Sequence, residues 1–294
     1  MTRRLAAAAA IALLVACRGP EGRRPLRIGS KNFTEQVILA EIAAQALQAA
    51  GVPVERRLNL GGTFVCHHAL VAGELDLYPE YTGTAFTAIL AQKPISDPAE
   101  VRLRVAQEYA RRFRLIWSPP LGFENTFALV MRGAQARELS IARISDLARY
   151  GDRLRPGFGY EFLERADGYP GLAKAYGLQF AARPVEMDLG LLYPALAQQR
   201  VDVVAGNSTD GLIAAMGLAV LEDDRRYFPP YEAAFVVRAT AWNDRRVRRI
   251  LEGLSGEISA DSMRSMNAAV DKDKRRPEEV ARQFLQGRAR PTPR

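Results

Sequence analysis

From Leu26 onward, short apolar runs alternate with longer runs whose apolar residues recur at helical spacing. No other feature of the chain constrains its fold as tightly. Leu26 to Gly29 reads as a short strand. Ser30 to Phe33 turns into a helix, with Asn32 and Glu35 spaced like a capping box. Val37, Ile38, Ile42 and Leu47 give that helix an apolar face, and Gly51 with Pro53 ends it. Val52 to Leu60 reads as a second strand, and Gly61-Gly62-Thr63 opens a helix running to about Ala72. Leu75 to Leu77 is a third strand, and Thr84 to Gln92 a further helix. Repetition of strand, turn and helix predicts an α/β fold with ligand contacts at the strand ends.

A second set of alternating elements spans about 135 to 222. It holds a helix near Ile144 to Tyr150, a Gly- and Pro-punctuated loop at Gly157 to Gly171, a helix at Leu191 to Gln199, and a buried strand at Val201 to Val204. Beyond Pro229-Pro230, a strand at Ala233 to Arg238 leads into helices at Asp244 to Glu257 and Pro277 to Leu285. Two such units joined by extended crossovers, Phe127 to Met131 and Tyr227 to Arg238, predict two lobes flanking a cleft. The expected division is 26–128 with 230–287 for the first lobe and 129–229 for the second, with a tail at 288–294.

The leader sets the compartment. Arg3 and Arg4 precede an uninterrupted apolar run of twelve residues, Leu5 to Ala16. That is short for a membrane span and suits a signal peptide. Leu14-Val15-Ala16-Cys17 resembles the bacterial lipoprotein cleavage box, which implies lipidation of Cys17 as the first mature residue. Two acyl chains at one site hold a domain at a membrane firmly. Residues 18–25 read as a flexible tether. Only Cys66 then remains in the body, so the exported domain has no internal disulfide and must be stabilised by its core. Without Arg3 and Arg4 the charge is 39 basic against 33 acidic residues, or +6. The arginines are scattered rather than gathered with aromatics on one stripe, which reads as a solvated basic surface and not as a nucleic-acid footprint.

Catalytic patterns are missing. His67 and His68 are adjacent, so on a helix their rings diverge and do not share an ion well. No Gly-x-Ser-x-Gly elbow, phosphate-binding P-loop or His-Glu-x-x-His occurs. Glu74/Asp76 and Glu222/Asp223/Asp224 read as solvated loop ends. No cofactor or metal site is expected. By contrast, Tyr78, Tyr81, Phe127, Tyr193, Tyr227 and Tyr231 fall beside expected strand ends and turns, where aromatic faces can converge on a cation. Tyr160, Tyr169 and Tyr176 read as packing residues.

Three segments carry a resemblance: Ser30-Lys31-Asn32-Phe33-Thr34-Glu35-Gln36, the run from Gly73 to Thr84, and the run from Val201 to Gly211. Asp223-Asp224 and Tyr227-Phe228-Pro229-Pro230-Tyr231 continue it in the same order. Together they resemble the osmoprotectant-binding proteins of ABC importers, most closely the glycine betaine/choline/carnitine branch, from about Leu26 to Leu285. The resemblance implies a two-lobed periplasmic-binding-protein fold of type II that closes over its ligand. It places an aromatic cage on Tyr81, Phe127, Tyr193 and Tyr231, and carboxylate binding on Gln36 and Thr84. Phe127 departs from the pattern, since close relatives carry tyrosine there.

The expectation is therefore a monomeric, lipid-anchored, extracytoplasmic receptor. It would capture a small quaternary-ammonium compound and deliver it to an ABC transporter permease, without catalysis. The alternatives are the same fold binding an amino acid or other zwitterion, and a secreted enzyme on a two-lobe scaffold.

Overall fold

The computed structural model describes residues 24–288. The leader, Cys17, most of the tether and residues 289–294 lie outside that range. The described chain forms two five-stranded mixed sheets, each with helices on both faces, in the two-lobed type II arrangement expected from the alternation.

The first sheet is built largely from the N-terminal half. Strand β1 (Leu26–Gly29) leads into α1 (Thr34–Ala49), β2 (Val54–Arg57), α2 (Thr63–Ala72) and β3 (Leu77–Tyr81). A short α3 (Thr82–Thr84) continues as a π-helical turn, Ala85–Ile89, before α4 (Pro98–Phe113) and β4 (Leu115–Trp117). The strand order is β2-β1-β3-β10-β4, where β10 (Ala233–Arg238) arrives from the far end of the chain and runs antiparallel to both neighbours.

The second sheet has order β7-β6-β8-β5-β9. It comprises β5 (Phe127–Arg132), α5 (Gly133–Glu138), a 3-10 turn at Ile144–Arg149, β6 (Pro156–Phe158), α6 (Tyr160–Glu164), α7 (Tyr169–Tyr176), β7 (Val185–Glu186), α8 (Leu192–Ala197), β8 (Val203–Asn207), α9 (Leu212–Ala215) and β9 (Leu218–Val220). Helices α10 (Ala239–Trp242), α11 (Arg245–Glu252), α12 (Ala260–Asp271) and α13 (Pro277–Arg288) follow β10 and return to the first lobe.

Helix α1 is the centre of one core. Ile38, Leu39, Ile42 and Leu47 are fully buried against Phe235, Val247, Leu251 and Met263. Each such side chain stabilises the fold by roughly 1.5–3 kcal/mol. Helices α2 and α4 cover the opposite face around Tyr78, Phe86 and Tyr109. Among the described residues no helix is long and apolar enough to cross a membrane.

Several expectations shift. The N-terminal boundary of α1 is Phe33, with no side-chain cap, so Asn32 and Glu35 do not form the capping box. The second strand is only Val54–Arg57, and the third lies later, at Leu77–Tyr81. Pro79 sits inside that central strand because β1 pairs with β3 only through Ile28 and Leu77, leaving the prolyl nitrogen beyond the end of β1. Phe127 to Met131 and Ala233 to Arg238 are not crossovers but strands within the two sheets. The chain crosses just before each of them, and the two crossing segments meet side by side at a Glu124–Glu232 bridge. Asp76 is not solvated: it is buried and accepts from the Arg24 guanidinium at 2.8 Å and the Arg27 backbone N–H at 2.9 Å. Asp223 likewise accepts backbone N–H groups of Tyr227 and Phe228, at 2.9 and 3.0 Å.

Candidate functional site

Between the sheets lies a cavity of about 330 Å³ lined from both sides. From the first lobe come Lys31 and Phe33 ahead of α1, Gly62 and Phe64 at α2, and Tyr81 and Thr84 at the end of β3. From the second come Phe127 at the start of β5, Tyr160, Glu161, Phe162, Glu164 and Arg165 around α6, and Asn207 at the end of β8. Tyr231 and Asn125 enter from the crossing segments. Strand ends and helix starts therefore meet here, as the α/β reading requires.

Three of the four expected cage aromatics reach this cavity: Tyr81, Phe127 and Tyr231. Phe127 packs edge-on to Tyr231, with ring centroids 6.1 Å apart, and to Phe162 at 4.9 Å. Tyr81 stacks near Phe33 at 6.4 Å. Tyr193 lines an adjoining cavity, where its hydroxyl donates to Asp210 Oδ2 at 2.6 Å. Asn207 lies on the wall common to both cavities. Sequence reasoning did not single it out, although it sits in the Val201–Gly211 run that carries the resemblance.

Of the two expected polar groups, Thr84 lines the cavity and Gln36 does not. Gln36 is fully buried, and its Oε1 accepts the Lys31 backbone N–H at 3.4 Å. Lys31 and Arg165 take the cationic positions on the wall, and neither was singled out for that role. Lys31 was visible inside the Ser30–Gln36 run. Arg165 had no local signal beyond one arginine in a Gly- and Pro-punctuated loop.

Both cations are buried and neutralised. Lys31 Nζ donates to Glu80 Oε1 at 2.5 Å and Thr63 Oγ1 at 3.0 Å. Arg165 forks onto Asp167 through Nε at 2.9 Å and Nη2 at 2.5 Å, and Nη2 lies 3.4 Å from Thr84 Oγ1. Burial works against charge on Asp167, but the guanidinium beside it, with donors Thr87 and Tyr231, holds its carboxyl below the usual carboxylate range. Burial likewise opposes charge on Arg165, yet Asp167 keeps it more firmly protonated than usual. Each cation also stands over an aromatic ring. Lys31 Nζ is 5.3 Å from the Tyr81 centroid, and Arg165 Cζ is 5.0 Å from that of Phe127.

The lobes touch around this cavity. Glu161 of α6 accepts both the backbone N–H and the hydroxyl of Thr63, the first residue of α2, the hydroxyl at 3.0 Å. Helix α2 has no side-chain cap of its own, since glycine 62 precedes it. The other lobe thus satisfies an N-terminal N–H that the sequence leaves open. Asp167 accepts from Thr87 and Tyr231 of the first lobe, at 2.6 and 2.7 Å. A Cβ on Gly83 would lie 2.6 Å from the Pro230 carbonyl and 2.7 Å from the Tyr231 ring, so glycine permits that close approach. Tyr160, expected to pack, is instead 57% exposed at the cavity mouth. His67 is packed edge-on between Tyr109 and Phe113, where burial lowers its pKa to about 4.

The sequence pattern described as the substrate binding domain of ABC-type glycine betaine transport system matches residues 24–287. The chain is 36% identical over 271 residues to the glycine-betaine-binding protein of Pseudomonas aeruginosa, covering 88% of this chain and 86% of that protein. It is 34% identical over 279 residues to the ergothioneine transport permease/ergothioneine binding protein of Helicobacter pylori, covering 94% of this chain but only 50% of that protein. The chain thus spans half the length of that relative. Among solved structures, a crystal structure titled as a glycine betaine/carnitine/choline ABC transporter superposes with a TM-score of 0.73 at 31% identity, over 90% of this chain and 98% of the other.

Proposed function

The chain belongs to the family of substrate-binding domains of ABC-type glycine betaine transport systems, and from that premise we propose that its cleft captures a trimethylammonium compound bearing a carboxylate and presents it to the permease of an ABC importer. One observation carries this reading: Tyr81, Phe127 and Tyr231 line the same cavity as Lys31 and Arg165. A quaternary ammonium has no N–H to donate, so aromatic faces are its natural receptor, each worth about 2 kcal/mol when desolvated. A carboxylate needs N–H donors, and a guanidinium supplies them in a planar fork. Arg165 and Lys31 are already charge-balanced, so they can offer N–H groups to the ligand without leaving net charge buried when the site is empty.

In this reading Tyr81, Phe127 and Tyr231 receive the ammonium. Thr84, Arg165 and Lys31 receive the carboxylate, with Gln36 bracing the Lys31 backbone behind them. Tyr193 acts from the adjoining cavity by fixing Asp210, which accepts the Asn207 backbone N–H at 2.8 Å. The lobes are 26–126 with 230–287, and 127–229, the boundary moved two residues because β5 starts at Phe127 in the second sheet, and they close because the ligand touches both. The protein works as a non-catalytic monomer, exported and anchored through lipid on Cys17.

A thermal-shift panel tests this, because a ligand that binds only the folded state raises its melting temperature. Trimethylammonium carboxylates should raise it most, choline less, and unmethylated amino acids least. A second reading, an amino-acid receptor, draws on Glu161, whose carboxylate lines the cleft and could meet a primary ammonium. Against it, both Glu161 oxygens already accept from Thr63. A larger shift with an unmethylated amino acid than with its trimethylated counterpart would favour that reading.

A further inference from the structure

Glu35 lies in the first turn of α1, yet its carboxylate belongs to the cleft rather than to the helix. It is 2% exposed and surrounded by donors from four separate parts of the chain. Oε1 accepts the Tyr81 hydroxyl at 2.6 Å and Asn125 Nδ2 at 2.8 Å. Oε2 accepts the Thr209 hydroxyl at 2.5 Å and Asn267 Nδ2 at 3.1 Å. These partners sit at the end of β3, in a crossing segment, after β8 and in α12, and none of the four carries a charge.

A carboxylate accepts and does not donate when ionised, and the two amide N–H groups and two hydroxyls bonded to Glu35 can all donate to that form. Burial is the largest influence on the Glu35 carboxyl and leaves its pKa raised, with the Thr209, Tyr81, Asn267 and Asn125 hydrogen bonds opposing it. The Tyr81 bond has the length of a charge-assisted O–H···O⁻ contact. A phenol donating to an anion passes electron density into its ring, and that raises the quadrupole attraction felt by a cation at the ring. Lys31, 5.3 Å from the Tyr81 centroid, is a cation already drawn there, and Glu80 balances its charge.

We propose that Glu35 is a positioning residue for cation recognition. By accepting the Tyr81 phenol it holds that ring at the cleft wall and makes it more electron-rich, so the site favours a quaternary ammonium over a neutral group of the same shape. The inference rests on the assignment of Tyr81 to the cationic end of the ligand. It goes beyond a buttress: a group that only supports the ring would affect charged and neutral ligands alike.

The test compares glycine betaine with 3,3-dimethylbutanoate, in which carbon replaces the quaternary nitrogen and the carboxylate is kept. Wild-type protein should prefer glycine betaine. In Glu35→Gln the ratio of the two affinities should fall on the order of fivefold, a fraction of a buried cation–π contact. Tyr81→Phe, which deletes only the phenol oxygen, should lower the ratio similarly, and the double variant should lower it no further. Should Glu35→Gln fail to fold, Tyr81→Phe alone decides. Variants that lose affinity while keeping the wild-type ratio would overturn the proposal. Wild-type protein that binds neither compound would remove the functional reading and this inference with it, an outcome distinct from binding with an unchanged ratio.

Discussion

The guanidinium of Arg165 stands 5.0 Å from the centre of the Phe127 ring, and both line the cleft. Asp167 holds that guanidinium in place through two N–H bonds. The second lobe thus brings a buried cation and an aromatic face together in one unit, and the first lobe does the same with Lys31 and Tyr81.

Arg165→Gln should therefore weaken glycine betaine binding by about tenfold or more, equivalent to about 1.4 kcal/mol. Choline, which lacks the carboxylate, should lose distinctly less. Calorimetric titration of both compounds checks this, and equal losses would remove the anion role.

Tyr81→Ala should weaken trimethylammonium binding by about tenfold or more, because the ring faces the cavity and loses its cation contact. Tyr193→Ala should weaken it less, since Tyr193 lines the adjoining cavity and acts through Asp210. A larger loss for Tyr193→Ala would reverse their order in the site.

Glu161→Ala removes the acceptor that the second lobe offers to the start of α2. The open form should gain population without ligand, giving a larger radius of gyration by small-angle X-ray scattering. Affinity should fall by a similar factor for every ligand, because the loss lies in closure rather than recognition. Scattering identical to wild type would show that this contact does not hold the lobes.

The general plan was legible because periodicity reports it directly. Leu26 to Gly29 and Ala233 to Arg238 emerged as strands with those bounds. Helix α4 also left a signal that the reading passed over. Asp97 caps it by accepting from Ala99 and Glu100 N–H, Pro98 follows, and Val101, Val105 and Tyr109 form a buried stripe. The site was half legible. Tyr81, Phe127, Thr84 and Tyr231 lie in local motifs, whereas Arg165 meets Thr84 only across the cleft and Phe127 only through the folding of the second lobe, both far from it in sequence. Gln36 lies off the cavity wall, with its Oε1 accepting the backbone N–H of Lys31, which does line it.

Asp210 predicts a pH dependence of stability. Burial raises its carboxyl from 3.8 to about 6 in the folded state. The native form therefore binds the proton more tightly than the unfolded chain, and the Asp210 contribution should decline as pH rises from about 4 to about 6 and level off above. Denaturant midpoints of wild type and Asp210→Asn, followed across that range, should diverge in the variant's favour as pH rises. Parallel curves would contradict the raised value.

The central claim is that the cleft recognises a trimethylammonium carboxylate. Isothermal titration calorimetry with glycine betaine, carnitine and unmethylated glycine tests it most directly. At least one trimethylated compound should bind saturably at one-to-one stoichiometry, and glycine should not bind. Binding of glycine as tight as that of the trimethylated compounds, or no heat with any quaternary ammonium, would contradict it.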